Sequence, residues 1–133
     1  MAFAHLHVHT EYSLLDGSNK IREYVARVKE LGMDSAAITD HGVMYGVIDF
    51  YRAAREAGIK PILGCEVYVA PNSRFDKELT GGEERYHHLV LLAENNTGYA
   101  NLMKIVSRGF TEGYYYKPCL LYTSDAADDR ISV

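Results

Sequence analysis

Histidine and carboxylate side chains recur along this chain at spacings that suit metal binding. His7 and His9 stand two apart in "HLHVHTEYSLLDG" (5–17), and Asp16 lies near the end of that stretch. His41 follows in "AITDHG", Glu66 lies in "GIKPILGCEVYVAP" and His88 stands early in "YHHLVLLA". Neutral imidazole and carboxylate are ligands for borderline divalent metals, and a carboxylate can span two ions. Two or three such ions held close together would activate a water and clamp a phosphoryl oxygen. A single histidine at a strand end is ordinarily a hydrogen-bonded core or surface residue. A His-x-His pair, an aspartate, an Asp-His, a glutamate and a further histidine, each at or near a predicted strand end, outweigh that simpler reading. His5 lies one pleat deeper, about 6–7 Å back along the strand, and is expected to be a packed, hydrogen-bonded neighbour. His87 and His88 point to opposite faces, so at most one faces the site. Asp40 reads as a turn residue or as a hydrogen-bond partner behind a ligand rather than as a ligand itself.

These side chains need a scaffold that gathers distant segments. Residues 3–9 alternate and predict a first strand, whose even pleat would turn His5, His7 and His9 the same way. "SNKIREYVARVKELGM" predicts a helix capped by Ser18, with Ile21, Val25, Val28 and Leu31 buried and Gly32 as its stop. A strand over 34–39 follows. A second helix carries Val47, Phe50, Tyr51 and Ala54 on one face and ends at Gly58. Strands over 61–70 and 86–93 flank a polar loop or hairpin, 71–85, and a helix over 95–110 buries Leu102, Ile105 and Val106. Strands alternating with helices predict βαβ units and a parallel sheet, open or closed into a barrel. Sites in such folds form at the C-terminal strand ends, where His7, His9, Asp16 and His41 fall. On a regular strand Cys65 points away from Glu66 and reads as a small buried hydrophobe. The Gly81-Gly82 pair lacks the Lys-Ser/Thr and helix start of a phosphate loop. The tyrosines could stack on bases, but packing explains them more simply. Residues 119–133 show no sustained period and are expected to complete no element.

Bulk properties narrow the function classes. The chain has 133 residues, room for one domain at most, and 47% hydrophobic residues, enough for a core. A net charge of -4 argues against a nucleic-acid binder that relies on a basic face, though not against a nuclease whose metal ions supply the positive charge. Two cysteines, Cys65 and Cys119, do not make a disulfide framework and fit a reducing compartment. No apolar run approaches the ~18 residues of a membrane span, and no secretory signal opens the chain. A cytoplasmic location with no membrane is expected.

"HLHVHTEYSLLDG", "AITDHG", "GIKPILGCEVYVAP" and "HHLVLLAENNTGYANLMKIVSRGFTEGYYYKP" together resemble the N-terminal polymerase-and-histidinol-phosphatase (PHP) domain of the alpha subunits of bacterial DNA polymerase III. The resemblance covers residues 1 to about 118. The histidine motifs are common to the superfamily, whereas "ENNTGYANLMKIVSRGF" is similar to its replicative polymerase branch. The resemblance implies an α/β fold, roughly the first half of a distorted (β/α)7 barrel. It implies a centre of up to three divalent metals, Zn2+ and/or Mn2+ or Mg2+. His7 and His9 would hold one with Glu66, Glu66 would bridge to a second held also by His88, and Asp16 with His41 would hold the third. Further family ligands, including a late Asp-x-His-type pair, fall beyond the part of this chain that matches. The implied parent activity is DNA-directed DNA polymerase in DNA replication, acting on primer-template DNA and dNTPs with a proofreading subunit, sliding clamp and clamp loader as partners. The domain's own chemistry would be 3'-to-5' exonuclease hydrolysis, with the 133-residue chain alone expected to be inactive. A stand-alone phosphoesterase of the histidinol-phosphatase type and a non-catalytic scaffold docking a proofreading subunit are the alternatives. Residues 119–133 depart from the family pattern, resemble translated sequencing-adapter sequence, and are assigned no function.

Overall fold

A computed structural model describes residues 3–70, 86–115 and 117–121. The predicted loop 71–85, with its Gly81-Gly82 pair, Tyr116 and residues 122–133 lie outside the described residues. The elements run α1 (Ile21–Glu30), β1 (Ser35–Ile38), α2 (Val47–Ala57), β2 (Lys60–Ala70), β3 (His87–Leu92), α3 (Asn96–Thr111), β4 (Tyr114–Tyr115) and β5 (Lys117–Leu121).

β2 is the axis of the sheet. Its first half, Lys60–Leu63, pairs in parallel with β1, and its last residues, Tyr68–Ala70, pair in parallel with β5. β3 pairs antiparallel over Gly64–Val69. Tyr68 and Val69 bond to both β3 and β5, so those two strands occupy opposite edges. Leu63 faces Ile38 on one side and accepts from the Ala93 N–H on the other. β1 and β5 therefore share one edge of β2 and β3 takes the other. The expectation of a parallel sheet holds for β1–β2 and β2–β5 but not for β3, which runs against β2. β4 also pairs antiparallel, with β5. Cys119–Leu121, expected to complete no element, form the end of β5.

The expected first strand is not a laddered strand. Residues 5–8 run beside β1 through two backbone bonds, Ala37 N–H to His5 O at 3.2 Å and Thr39 N–H to Val8 O at 2.9 Å. The Thr39 hydroxyl supplies the rest, accepting from Val8 N–H at 2.8 Å and donating to Val8 O at 3.1 Å. A side chain here satisfies backbone groups that a neighbouring strand would otherwise satisfy.

Two apolar clusters surround the sheet. Ile21, Val25 and Val28 of α1, Ala36 and Ile38 of β1, and Val47, Phe50 and Ala54 of α2 form the larger. Tyr24 joins it by stacking on Phe50 and donating to Ala37 O at 3.1 Å; burial pushes its hydroxyl pKa up to about 12. Cys65, Val67 and Val69 meet Leu91 and Leu102 in the smaller, with Ile105 and Val106 partly buried against it. Leu31 and Tyr51, predicted to be buried, are exposed. Leu31 is the helix C-cap, already past the last turn, and Tyr51 lies one residue round α2 from the buried Phe50. Ser18 does not cap α1: the helix starts at Ile21 behind Lys20, and Glu11 Oε1 accepts from Ile21 N–H at 3.4 Å instead. Gly58 ends α2 with φ +75°, the left-handed conformation that lets Gly58 N–H donate to Arg55 O and Ile59 N–H to Ala54 O. No helix among the described residues is long and apolar enough to cross a membrane.

Candidate metal centre

Pleat parity on β2 sorts its side chains. Cys65, Val67 and Val69 go to the core on the α3 side, and Glu66 and Tyr68 to the other face. Cys65 donates its thiol to Asp40 O and Val43 O, and burial drives its pKa up to about 12. Glu66 is the best-placed acid of the chain, 2% exposed. His41 is drawn beside it because the segment after β1 continues along β2. Glu66 N–H donates to Asp40 O at 3.0 Å and Gly42 N–H to Glu66 O at 2.7 Å. His88 reaches the same place because β3 is antiparallel. Its early residues lie beside the late residues of β2, and His88 faces Tyr68 directly. His87, facing Val69, is on the opposite side of the sheet.

Each Glu66 oxygen serves a separate group of histidines. Oε2 lies against His7 Nε2 and is 3.2 Å from His9 Nε2. Oε1 is 2.6 Å from His88 Nδ1 and 3.3 Å from His41 Nδ1. His41 Nε2 is 2.8 Å from Asp16 Oδ2. Ligand-type atoms thus converge in three groups: His7, His9 and Glu66; His9, Asp16 and His41; His41, Glu66 and His88. Within each group the atoms lie within 4.8 Å of one another. His9, His41 and Glu66 each belong to two groups and are sheltered, with side-chain exposures of 21%, 20% and 2%. His7, Asp16 and His88 belong to one group each and are open, at 55%, 57% and 46%. Shared residues form an inner triangle and unshared ones a solvent-facing rim.

The donor set fits divalent cations on physical grounds. Four imidazoles surround one buried carboxylate; burial, followed by the neighbouring charge of His41, lowers the pKa of His9, which favours its neutral, ligating form. His41 Nδ1 is buried with no hydrogen-bond partner although Glu66 Oε1 is 3.3 Å away. With the ring proton on Nε2 facing Asp16, Nδ1 would meet Glu66 Oε1 lone pair to lone pair, a repulsion that a cation between them relieves. The ring-nitrogen and carboxylate spacings of 3.0 and 3.2 Å around His9 resemble the ~3.3 Å separation of adjacent ligands about a tetrahedral ion with bonds near 2 Å. Asp16 titrates below the ordinary carboxylate range: burial opposes its charge, but the hydrogen bond and charge of His41, with His9 behind, outweigh it.

The other expected residues have different surroundings. His5 is exposed, its ring edge-on to Phe3, and is not the packed neighbour predicted. Among the described residues no strand flanks the first segment on its outer side, so one pleat back means solvent rather than core. Asp40 belongs to none of the three ligand groups among the described residues. It is 1% exposed and accepts from Thr10 N–H at 2.6 Å, Thr10 Oγ1 at 2.7 Å and Ser13 Oγ at 2.8 Å, which folds the 10–17 loop over the site. Gly17 closes that loop: a Cβ there would stand 1.8 Å from Thr10 O. Thr10, Ser13 and Tyr68 were not anticipated from sequence. Tyr68, two residues beyond Glu66, stacks over His41 and meets His88 edge-on; strand periodicity alone could have pointed to it. Thr10 and Ser13 carry no comparable signal.

Comparisons with known proteins identify the family and the fold. The PHP domain model matches residues 5–130. DNA polymerase III subunit alpha of Treponema pallidum is 51% identical over 118 residues, 89% of this chain and 10% of that protein. The Helicobacter pylori subunit is 52% identical over 117 residues, 88% and 9% respectively. This chain therefore spans about a tenth of the length of these relatives. An amidohydrolase structure from Chromobacterium violaceum aligns with TM-score 0.53 and 26% identity over 80% of this chain and 34% of that one. A protein from Bifidobacterium adolescentis, described as a metal-dependent phosphoesterase, aligns with TM-score 0.55 and 22% identity over 80% and 32%, a likeness of fold alone. The α/β arrangement is part of a PHP-type barrel, and by the match over residues 5–130 the chain belongs to the PHP domain family.

Proposed function

We propose that this chain is the PHP segment of a DNA polymerase III alpha subunit and that its six clustered ligands form a multinuclear metal centre for 3'-to-5' exonuclease hydrolysis. The observation that carries the reading is Glu66, buried and presenting one oxygen to each of two ligand groups. Divalent ions bound there, Zn2+ and/or Mn2+ or Mg2+, would bring the pKa of a water towards neutrality and neutralise charge on a phosphoryl oxygen. His7, His9 and Glu66 would hold one ion, Glu66, His41 and His88 a second, and His9, Asp16 and His41 a third. Glu66, 2% exposed, would be the ligand shared by the first two. The exposed rim of His7, Asp16 and His88 leaves an open side for a terminal phosphodiester. The polymerase relatives support a wider role, in which primer-template DNA and dNTPs would be substrates, a proofreading subunit, sliding clamp and clamp loader partners, and the cytoplasm the location.

The test uses the full-length protein carrying this segment, with His9→Ala and Glu66→Ala. Both should lose bound metal by elemental analysis. Their 3'-exonuclease rate should fall by about 100-fold or more, beyond the 10–100-fold typical of residues that merely support a ligand. Unchanged metal content and rate in both variants would exclude the site.

A further inference from the structure

Ser13 makes an unusual set of contacts for a loop serine. It is 3% exposed, and its single hydroxyl touches three groups. Oγ donates to Asp40 Oδ1 at 2.8 Å, accepts from His41 N–H at 3.1 Å and lies 3.4 Å from His9 Nδ1. We infer that Ser13 is a positioning residue for the metal centre, holding His9 in the tautomer whose Nε2 lone pair faces the metals. The inference rests on the metal-centre reading above.

The proton count carries the argument. A serine hydroxyl has one proton and two acceptor lone pairs. The Asp40 carboxylate has no proton to give and already accepts from Thr10 N–H and Thr10 Oγ1. It therefore takes the Ser13 proton. The His41 backbone N–H can only donate, and it occupies one lone pair. What remains to face His9 Nδ1 is an acceptor, so Nδ1 must carry the ring proton. Nε2 is then the bare nitrogen, and it is the atom that meets His7 Nε2 at 3.0 Å and Glu66 Oε2 at 3.2 Å. The opposite tautomer would place two lone pairs against each other at Ser13 and a proton at the metal position. Backbone bonds hold the serine in place: Asp16 N–H and Gly17 N–H both donate to Ser13 O, at 3.1 and 2.7 Å. The same hydroxyl anchors the backbone of His41, so one side chain sets both histidines that are shared between ligand groups. Metal-binding histidines commonly have their second nitrogen fixed in this way, and loss of the partner costs about 10–100-fold in metal affinity.

The experiment compares Ser13→Ala, Ser13→Thr and Ser13→Val in the full-length protein, with Mn2+ binding read by equilibrium dialysis and the Co2+-loaded absorption spectrum recorded. Ser13→Ala should weaken Mn2+ binding by about 10–100-fold and alter the Co2+ spectrum, with the metal-free melting temperature as a check on folding. The Thr and Val variants have the same shape and differ by a hydroxyl, so they decide the matter even if the alanine variant folds poorly. Threonine should restore near-native affinity and spectrum while valine stays weak. Equal affinities for threonine and valine would overturn the inference. His9→Ala separates the two readings: loss of metal with His9→Ala but equal binding by the Thr and Val variants overturns only the role of Ser13. Retention of full metal binding by His9→Ala overturns the metal-centre reading beneath it.

Discussion

At the residue scale, the proposed centre would gather four imidazoles around one buried acid. His9 carries a measurable consequence. Burial lowers its pKa from 6.5, so between the lowered value and 6.5 the unfolded chain binds more protons than the folded one. Stability from this group is present in full above 6.5 and declines as pH falls through that window. Asp16, also lowered, acts in the same direction at more acidic pH, below the ordinary carboxylate pKa of 3.8. The metal-free protein should lose melting temperature between pH 7 and 5.5, and His9→Gln should flatten that slope. Thermal melts across the range check it; identical slopes in the two proteins would refute the assignment. Proton competition for His9 should also release metal on the acid side, which a chelator-free titration of bound Mn2+ would register.

At the element scale, the site depends on segments that secondary structure alone does not hold. Thr39 clamps Val8, the residue between His7 and His9, through both of its backbone polar groups. Thr39→Val keeps the shape and removes the hydroxyl. It should cost about 1–3 kcal/mol, the usual penalty for leaving a buried polar group unpaired, and should weaken metal binding although Thr39 touches no metal-type ligand atom. Urea denaturation and metal titration measure the two effects. A stability loss with unchanged metal affinity would show that His7 and His9 do not need the clamp. The loop that carries Asp16 has a comparable dependence on Gly17, whose Cα lies too close to Thr10 O to take a side chain. Gly17→Ala should displace Asp16 from His41 and lower metal content.

At the scale of the whole molecule, the centre ties together four separate stretches: the first segment with its loop, the end of β1, the middle of β2 and the start of β3. Metal binding should therefore stabilise the fold rather than one loop. A ligand that binds only the folded state at 100 times its dissociation constant adds ~2.7 kcal/mol. Adding Mn2+ to metal-free protein should raise the melting temperature by several degrees, EDTA should reverse it, and Glu66→Gln should abolish most of the rise. An unchanged melting temperature with saturating metal would mean that the ligands are not gathered as described. The helices and the alternation of strand and helix were legible from periodicity, since α1 and α2 bury residues at regular helical spacing. The direction of β3 was not, because nothing local to "HHLVLL" distinguishes a parallel from an antiparallel neighbour.

The sequence by itself determined the kinds of atom available for chemistry. His7, His9, Asp16, His41, Glu66 and His88 were readable as candidate ligands because residue type and the two-residue pleat are local properties. Only the tertiary structure decided how they group. Sharing His9, His41 and Glu66 among three clusters requires β3 to run against β2 and the segment after β1 to continue along it. The supporting set of Thr10, Ser13, Thr39 and Asp40 was hidden for the same reason. Most of their hydrogen bonds to the site join residues some thirty apart in sequence, among them Thr10 to Asp40, Ser13 to His41 and Val8 to Thr39. A hydrogen bond is fixed by distance and direction in space, and chain spacing carries neither once the backbone has turned.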